Sequence, residues 1–187
     1  MTKIIGLCGP IGCGKSTVAH KLVLVCAAGG VTSMVVSFSE PLKRMIVALL
    51  RSGGLTEQEA WKYVLNQTMK TSPLAILQGK TPRLAMQLIG TEWGRDRIGM
   101  NLWTDIAIAR ANASKSHVVI IDDVRFPSEL EAIKSQGGLT IGLERPGVAF
   151  NHSHASEQKL DVPIIINDSD PLTVAKTVYQ FALAKHV

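Results

Sequence analysis

The sequence predicts an α/β fold with a mostly parallel five-stranded sheet flanked by helices. Five short apolar runs alternate with helix-patterned segments, the arrangement parallel strands require because each needs a long crossover to reach its neighbour. The first run, "IIGLC", opens into "GPIGCGKST" and then into a helical pattern, which places a glycine-rich, phosphate-binding stretch between strand and helix. A chain of 187 residues fits one domain, 1–187, with an inserted helical segment.

Taken in order, residues 4–8 read as a buried strand, and the segment 14–28 carries Val18, Leu22 and Val25 at helical spacing before Gly29-Gly30 stops it. "MVVSF" (34–38) is a second strand. "PLKRMIVALLRS" follows as a helix with Pro41 at its start and Leu42, Met45, Ile46 and Leu49 on one face. Between Thr56 and Asn112 no strand pattern intervenes. Three amphipathic stretches (56–68, 82–95 and 100–112) define a helical insertion of about 41–112. "HVVIID" resumes the sheet, "PSELEAIKSQGG" is a short helix and "LTIGLE" a strand. A polar stretch, 145–162, overlaps the end of a lid expected at about 126–160. "PIIIN" and a last helix, capped by Asp170 with Pro171 behind it, close the pattern.

Composition narrows the function. Apolar residues reach 46%, yet no run has the uninterrupted length of a membrane span and the start lacks a signal-peptide pattern, so a soluble, cytoplasmic protein is expected. Cys8, Cys13 and Cys26 have no metal-ligand spacing and form an odd set, which points to reduced thiols. The net charge of +5 comes from scattered lysines and arginines rather than a basic stripe. Small phosphorylated ligands therefore account for it better than nucleic acid, and no direct nucleic-acid binding or membrane partner is expected. Whether the chain forms a homodimer is left open.

Gly9, four residues and then Gly14-Lys15-Ser16 satisfy the phosphate-loop pattern. Gly12 and Gly14 let successive backbone N–H groups turn inward, and Lys15 can reach the β and γ phosphates. The Ser16 hydroxyl can ligate Mg²⁺, and Thr17 is placed for the α phosphate. Three classes fit such a loop: a switch GTPase, a motor-like ATPase and a small-molecule kinase. The guanine-reading Asn-Lys-x-Asp is missing, which disfavours the first. A kinase needs a second phosphate site. In "GKTPRLAMQLIGTEWGR" (79–95), Arg83 and Gln87 share a helix face, with Glu92, Trp93 and Arg95 beyond. A guanidinium fork, an amide and an aromatic plane together suit a nucleotide.

These stretches, with "FSEPLK" (38–43), "DDVRFPSE" (122–129), "HASE" (154–157) and "IIIND" (164–168) in the same order, resemble the deoxynucleoside monophosphate kinases of tailed bacteriophages over nearly the whole chain. The resemblance implies the P-loop nucleoside monophosphate kinase fold and transfer of the γ-phosphoryl of ATP to a deoxynucleoside monophosphate, supplying DNA precursors. A phage-encoded chain would work in the host cytoplasm. At matching positions it implies an acceptor pocket of Leu42, Lys43, Arg83, Gln87, Thr91, Trp93 and Arg95. It also sets Asn167 in the loop that reaches the adenine of ATP, while His154, Ser156 and Glu157 match a lid-side motif.

Asp122 and Asp123 end an apolar strand, where a Mg²⁺-linked carboxylate belongs. Asp122 is favoured as the magnesium partner through water, leaving Asp123 and Arg125 to face phosphates or acceptor. Because the acceptor is already a phosphate oxygen, the chemistry asks for cations rather than a general base. Lys15, Lys43, Arg83, Arg95, Arg125 and Arg145 are the candidates, with Arg145 opening the lid. His152 and His154 lack a third local ligand for a metal. Related kinases acting on phosphomevalonate or dephospho-coenzyme A, and a non-catalytic ATPase module, are the alternatives.

Overall fold

Each of the five apolar runs forms a strand in the computed structural model, which describes residues 2–150 and 159–183. β1 (Lys3–Cys8), β2 (Ser33–Val36), β3 (Val118–Val124), β4 (Leu139–Glu144) and β5 (Ile164–Ile166) pair in the order β2-β3-β1-β4-β5. Every pairing is parallel, as the alternation of strand and helix predicts. The helices are α1 (Lys15–Ala28), α2 (Glu40–Ser52), α3 (Glu57–Leu65), α4 (Pro82–Leu88), α5 (Leu102–Ala113), α6 (Pro127–Ser135) and α7 (Pro171–Leu183).

The chain forms two compact units, one of Met1–Phe38 with Thr104–Val187 and the other of Ser39–Trp103. The first holds the sheet. Strand side chains alternate between two faces, so Ile5, Leu7, Ile120 and Ile141 meet Val18 and Leu22 of α1 and Val174 and Val178 of α7. Ile4, Val119 and Ile121 meet Ala107 and Ala111 of α5 and Ile133 of α6 on the other face. Burying each such aliphatic side chain favours folding by about 1.5–3 kcal/mol, so both covered faces stabilise the scaffold that carries the loops. Asp170 caps α7 as expected, its carboxylate accepting from Leu172 N at 2.9 Å and Thr173 N at 3.2 Å.

The second unit closes on its own core of Ile46, Val47, Leu50, Ala60 and Val64, built from the apolar faces of α2 and α3. Thr56 and Glu59 form a reciprocal capping box that starts α3. Asn66 then ends it by accepting from Thr68 N and Met69 N, three residues before the expected helix end at 68.

Three expectations change in detail. β2 stops at Val36 instead of running to Phe38, because Ser37 and Phe38 turn their polar groups to β3. The helical segment separating from the sheet is Ser39–Trp103, since α5 from Thr104 onward groups with the sheet unit rather than with the 41–112 insertion. Of the 126–160 range expected for a lid, 127–135 is α6 and 139–144 is β4, a strand between β1 and β5. Irregular backbone begins only at Arg145.

Candidate active site

The phosphate loop takes its shape from glycine. Gly9 leaves β1 with φ at 137°, where a Cβ would fall 2.2 Å from the Leu143 carbonyl oxygen, and Gly14 enters α1 at φ 97°. Other residues would be strained at both points. The loop folds around Lys15, whose Nζ donates to the carbonyls of Gly9 (2.7 Å) and Pro10 (2.8 Å) and approaches Cys13 Sγ at 3.7 Å. Burial holds the Lys15 ammonium below the usual lysine value; Cys13 works against that shift and the like charge of Arg125 works with it. Ser16 and Thr17 stand exposed on the first turn of α1, which carries no acidic residue, so the positive end of the helix keeps its attraction for anions.

Asn167 holds the loop from behind. It is buried, its side-chain amide donates to the Cys13 carbonyl at 2.6 Å and its backbone N–H donates to Glu144 O at 2.7 Å. A Cβ on Gly14 would sit 2.5 Å from Asn167 Nδ2, so the glycine and the amide are fitted to each other. Beside them lies a cavity of about 280 Å³ bounded by Gly14, Thr17, Arg145, Asn167 and Asp168, among others. Four residues expected for the nucleotide thus border one space, although Asn167 gives its side chain to the loop. Sequence reasoning did not foresee that bond, which joins residues 154 positions apart.

The two carboxylates sit in a bulge. Gly6 pairs with Ile121 and Cys8 with Val124, so Asp122 and Asp123 together oppose Leu7. Both turn toward the exit of β2. Asp122 Oδ1 accepts from Ser37 Oγ at 2.5 Å, and Asp123 Oδ1 accepts from Phe38 N at 2.8 Å. Next in the chain, the buried Glu129 carboxylate accepts from Arg125 N (2.7 Å) and Phe126 N (3.1 Å), fixing the turn that presents Arg125 and starting α6. Ser37 and Glu129 are site residues that the sequence reading did not assign. A Glu at the third position of a helix that Pro127 opens, placed to accept the backbone N–H groups before it, is a signal that could have found the latter.

Within the second unit, Arg83 and Gln87 lie on α4, which Thr81 caps and Pro82 opens. The helix expected to run to 95 instead widens at Ile89 into a π-helix, Ile89–Ile98, with Gly99 N donating five residues back to Gly94 O at 2.9 Å. Thr91, Trp93 and Arg95 are all on this segment; Thr91 and Trp93 are exposed. Leu42 is buried and Lys43 half-buried on α2, while the neighbouring Arg44 is tied to Glu40 at 2.7 Å. The lid-motif residues His154, Ser156 and Glu157, and His152, lie outside the described residues. Among the described residues, no group of three or more His, Cys, Asp or Glu could hold a metal by itself, and no helix is long and apolar enough to cross a membrane.

A deoxynucleotide monophosphate kinase family model matches residues 40–176. The chain belongs to this family. The match takes in the helical unit, the carboxylate bulge and Asn167, and the kinase activity on a deoxynucleoside monophosphate expected from the ordered motifs is borne out with it. The chain is 31% identical over 172 residues, covering 84% of its length and 81% of the relative's, to a protein of Acanthamoeba polyphaga mimivirus described as a putative deoxynucleotide monophosphate kinase. It is 37% identical over 94 residues, 45% of its length and 40% of the relative's, to the uncharacterized protein ORF77 of Ictalurid herpesvirus 1. Among solved structures, a mutant of the Mycobacterium tuberculosis APS kinase CysC aligns with a TM-score of 0.48 and 11% identity over 96% of this chain and 95% of that one.

Proposed function

We propose that this deoxynucleotide monophosphate kinase binds ATP on the loop from Gly9 to Thr17 and passes its γ-phosphoryl to a deoxynucleoside monophosphate held by the Ser39–Trp103 unit, in support of DNA synthesis. The observation that carries the reading is the folded phosphate loop, with Lys15 enclosed by its own carbonyls beside a cavity of about 280 Å³, in a chain of this family.

The Lys15 ammonium exchanges the Gly9 and Pro10 carbonyls for phosphate oxygens, and the N–H groups at the start of α1 receive the rest of the phosphate chain. The base and sugar occupy the cavity between Thr17, Arg145 and Asp168. Asn167 acts behind the loop. Asp123, bonded to the backbone of Phe38, is the structural member of the acidic pair, whereas among the described residues the Asp122 carboxylate bonds to the Ser37 hydroxyl alone. An exposed hydroxyl at Ser16 and one carboxylate at Asp122, with phosphate and water oxygens completing the set, suit Mg²⁺, which when bound neutralises charge on the β and γ phosphates. Lys43, Arg83 and Arg95 neutralise the acceptor phosphate, and Gln87, Thr91, Trp93 and Leu42 bind its nucleoside. Arg125, close enough to Lys15 to act on its charge, stabilises the negative charge spreading over the transferred group.

The test is coupled detection of ADP across the common nucleoside and deoxynucleoside monophosphates. Release that depends on a deoxynucleoside monophosphate is the expected result. Release without any acceptor, or with phosphomevalonate or dephospho-coenzyme A in its place, would overturn the reading.

A further inference from the structure

We propose that Trp103 is a positioning residue for the acceptor, fixing the wide-turned segment Ile89–Ile98 so that the Trp93 ring is held ready to stack on the acceptor base. The inference rests on the reading of Trp93 as part of the acceptor pocket.

Trp103 is 3% exposed and touches the segment on both sides of Trp93. Its indole N–H donates to the Gly90 carbonyl at 2.8 Å. Its ring lies flush against Gly94, where a Cβ would fall 2.4 Å from Cζ2, so that only a residue without a side chain admits this approach. Between these anchors Trp93 stands 44% exposed, its ring centroid 6.1 Å from that of Trp103 and tilted by 42°. On the other side of Gly90, a Cβ would lie 3.4 Å from Leu42 Cδ2, which brings a second expected acceptor residue to the same backbone.

A wide helical turn is uncommon, and an exposed aromatic on one would ordinarily be free to reorient. Here one buried indole supplies a directional bond, a flat packing surface and an aromatic neighbour. Each acts on the orientation of Trp93 without needing contact with the acceptor. Stacking costs least when the ring is already in place, so the brace should tighten acceptor binding and leave donor binding and the transfer step unaffected.

Two variants test this in a Trp61→Phe background, where Trp93 and Trp103 are the remaining tryptophans. Trp103→Phe keeps an aromatic ring and removes the N–H donor; Gly94→Ala keeps the indole and pushes it from its seat. Each should raise the KM for thymidine or deoxyguanosine monophosphate about tenfold, the size expected for losing one well-made interaction, with kcat and the KM for ATP within twofold of the parent. Quenching of Trp93 emission by the same monophosphate should need about tenfold more ligand in Trp103→Phe. Circular dichroism and melting temperature establish that the assays are run on folded protein. Unchanged acceptor KM and quenching in both variants would overturn the proposal, as would a parallel fall in kcat and ATP affinity, the sign of a merely structural role. If the parent shows no quenching and Trp93→Phe has normal acceptor kinetics, the acceptor reading of Trp93 itself fails.

Discussion

The two units treat their functional groups differently. Around the phosphate loop, Lys15, Asn167, Asp122, Asp123 and Glu129 each bond to other protein atoms. In the helical unit, Gln87, Thr91 and Trp93 stand exposed, carried by a short α-helix that widens into a π-helix. On the proposed reading, the donor side joins backbone N–H groups to side chains already fixed by protein atoms, and the acceptor side relies on exposed side chains, where discrimination among bases belongs. Preorganisation lowers the ordering cost of binding, so damage to the first should be severe and general and damage to the second milder and selective.

The largest break is expected from Lys15→Ala, which removes the charge the loop is folded around. Turnover should fall by on the order of 10³-fold in the ADP-release assay, with circular dichroism unchanged. A variant within tenfold of the parent would mean that the loop's N–H groups suffice. Next is Gly14→Ala. Its Cβ must displace Asn167 Nδ2 and accept a left-handed backbone, so stability should drop by about 1–3 kcal/mol on thermal or urea unfolding and nucleotide affinity should fall with it. On the other unit, Arg83→Ala should raise the acceptor KM about tenfold and leave the KM for ATP unchanged; unchanged kinetics for the monophosphate would remove Arg83 from the pocket.

The smallest effect is one of pH. Because burial lowers the Lys15 pKa, the free protein loses that proton in an alkaline window below the ordinary lysine value. Phosphate binding requires the proton, so triphosphate affinity should fall as pH rises through the window, at most tenfold per pH unit, with proton uptake visible by calorimetry in buffers of different ionisation enthalpy. The unfolded chain, with an ordinary lysine, holds more protons over the same window. Ligand-free stability should therefore move the opposite way and rise with pH.

Much of this was legible in the sequence because it is local. Strand and helix alternation, the glycine loop, the Asp170 cap and the Arg83/Gln87 face each lie within one short window, and together they carried the fold class and the family resemblance. What escaped depends on distant partners. Ser37 meets Asp122 and Phe38 meets Asp123 across 85 residues, and Asn167 meets Cys13 across 154. The π-helix escaped for another reason: its residues have the same local propensities as an α-helix, and the approach of Gly94 to Trp103, which accompanies the wider turn, appears only when the chain is folded. Within the range expected for a lid, the helix and the strand carry local patterns of their own, "PSELEAIKSQGG" and "LTIGLE", and the polar pattern begins only at Arg145.

The bulge in β3 makes chain length part of the code. Val118 and Ile120 face the α1 side while Val119, Ile121 and Val124 face the α5 side, and this is possible only because one extra residue is taken up at Asp122–Asp123. Deleting either aspartate would do more than remove a carboxylate. It would remove the bulge and restore simple alternation, leaving Val124 opposite Cys8 and on the α5 side, while the bonds from Ser37 Oγ and Phe38 N at the exit of β2 would lose one of their two acceptors.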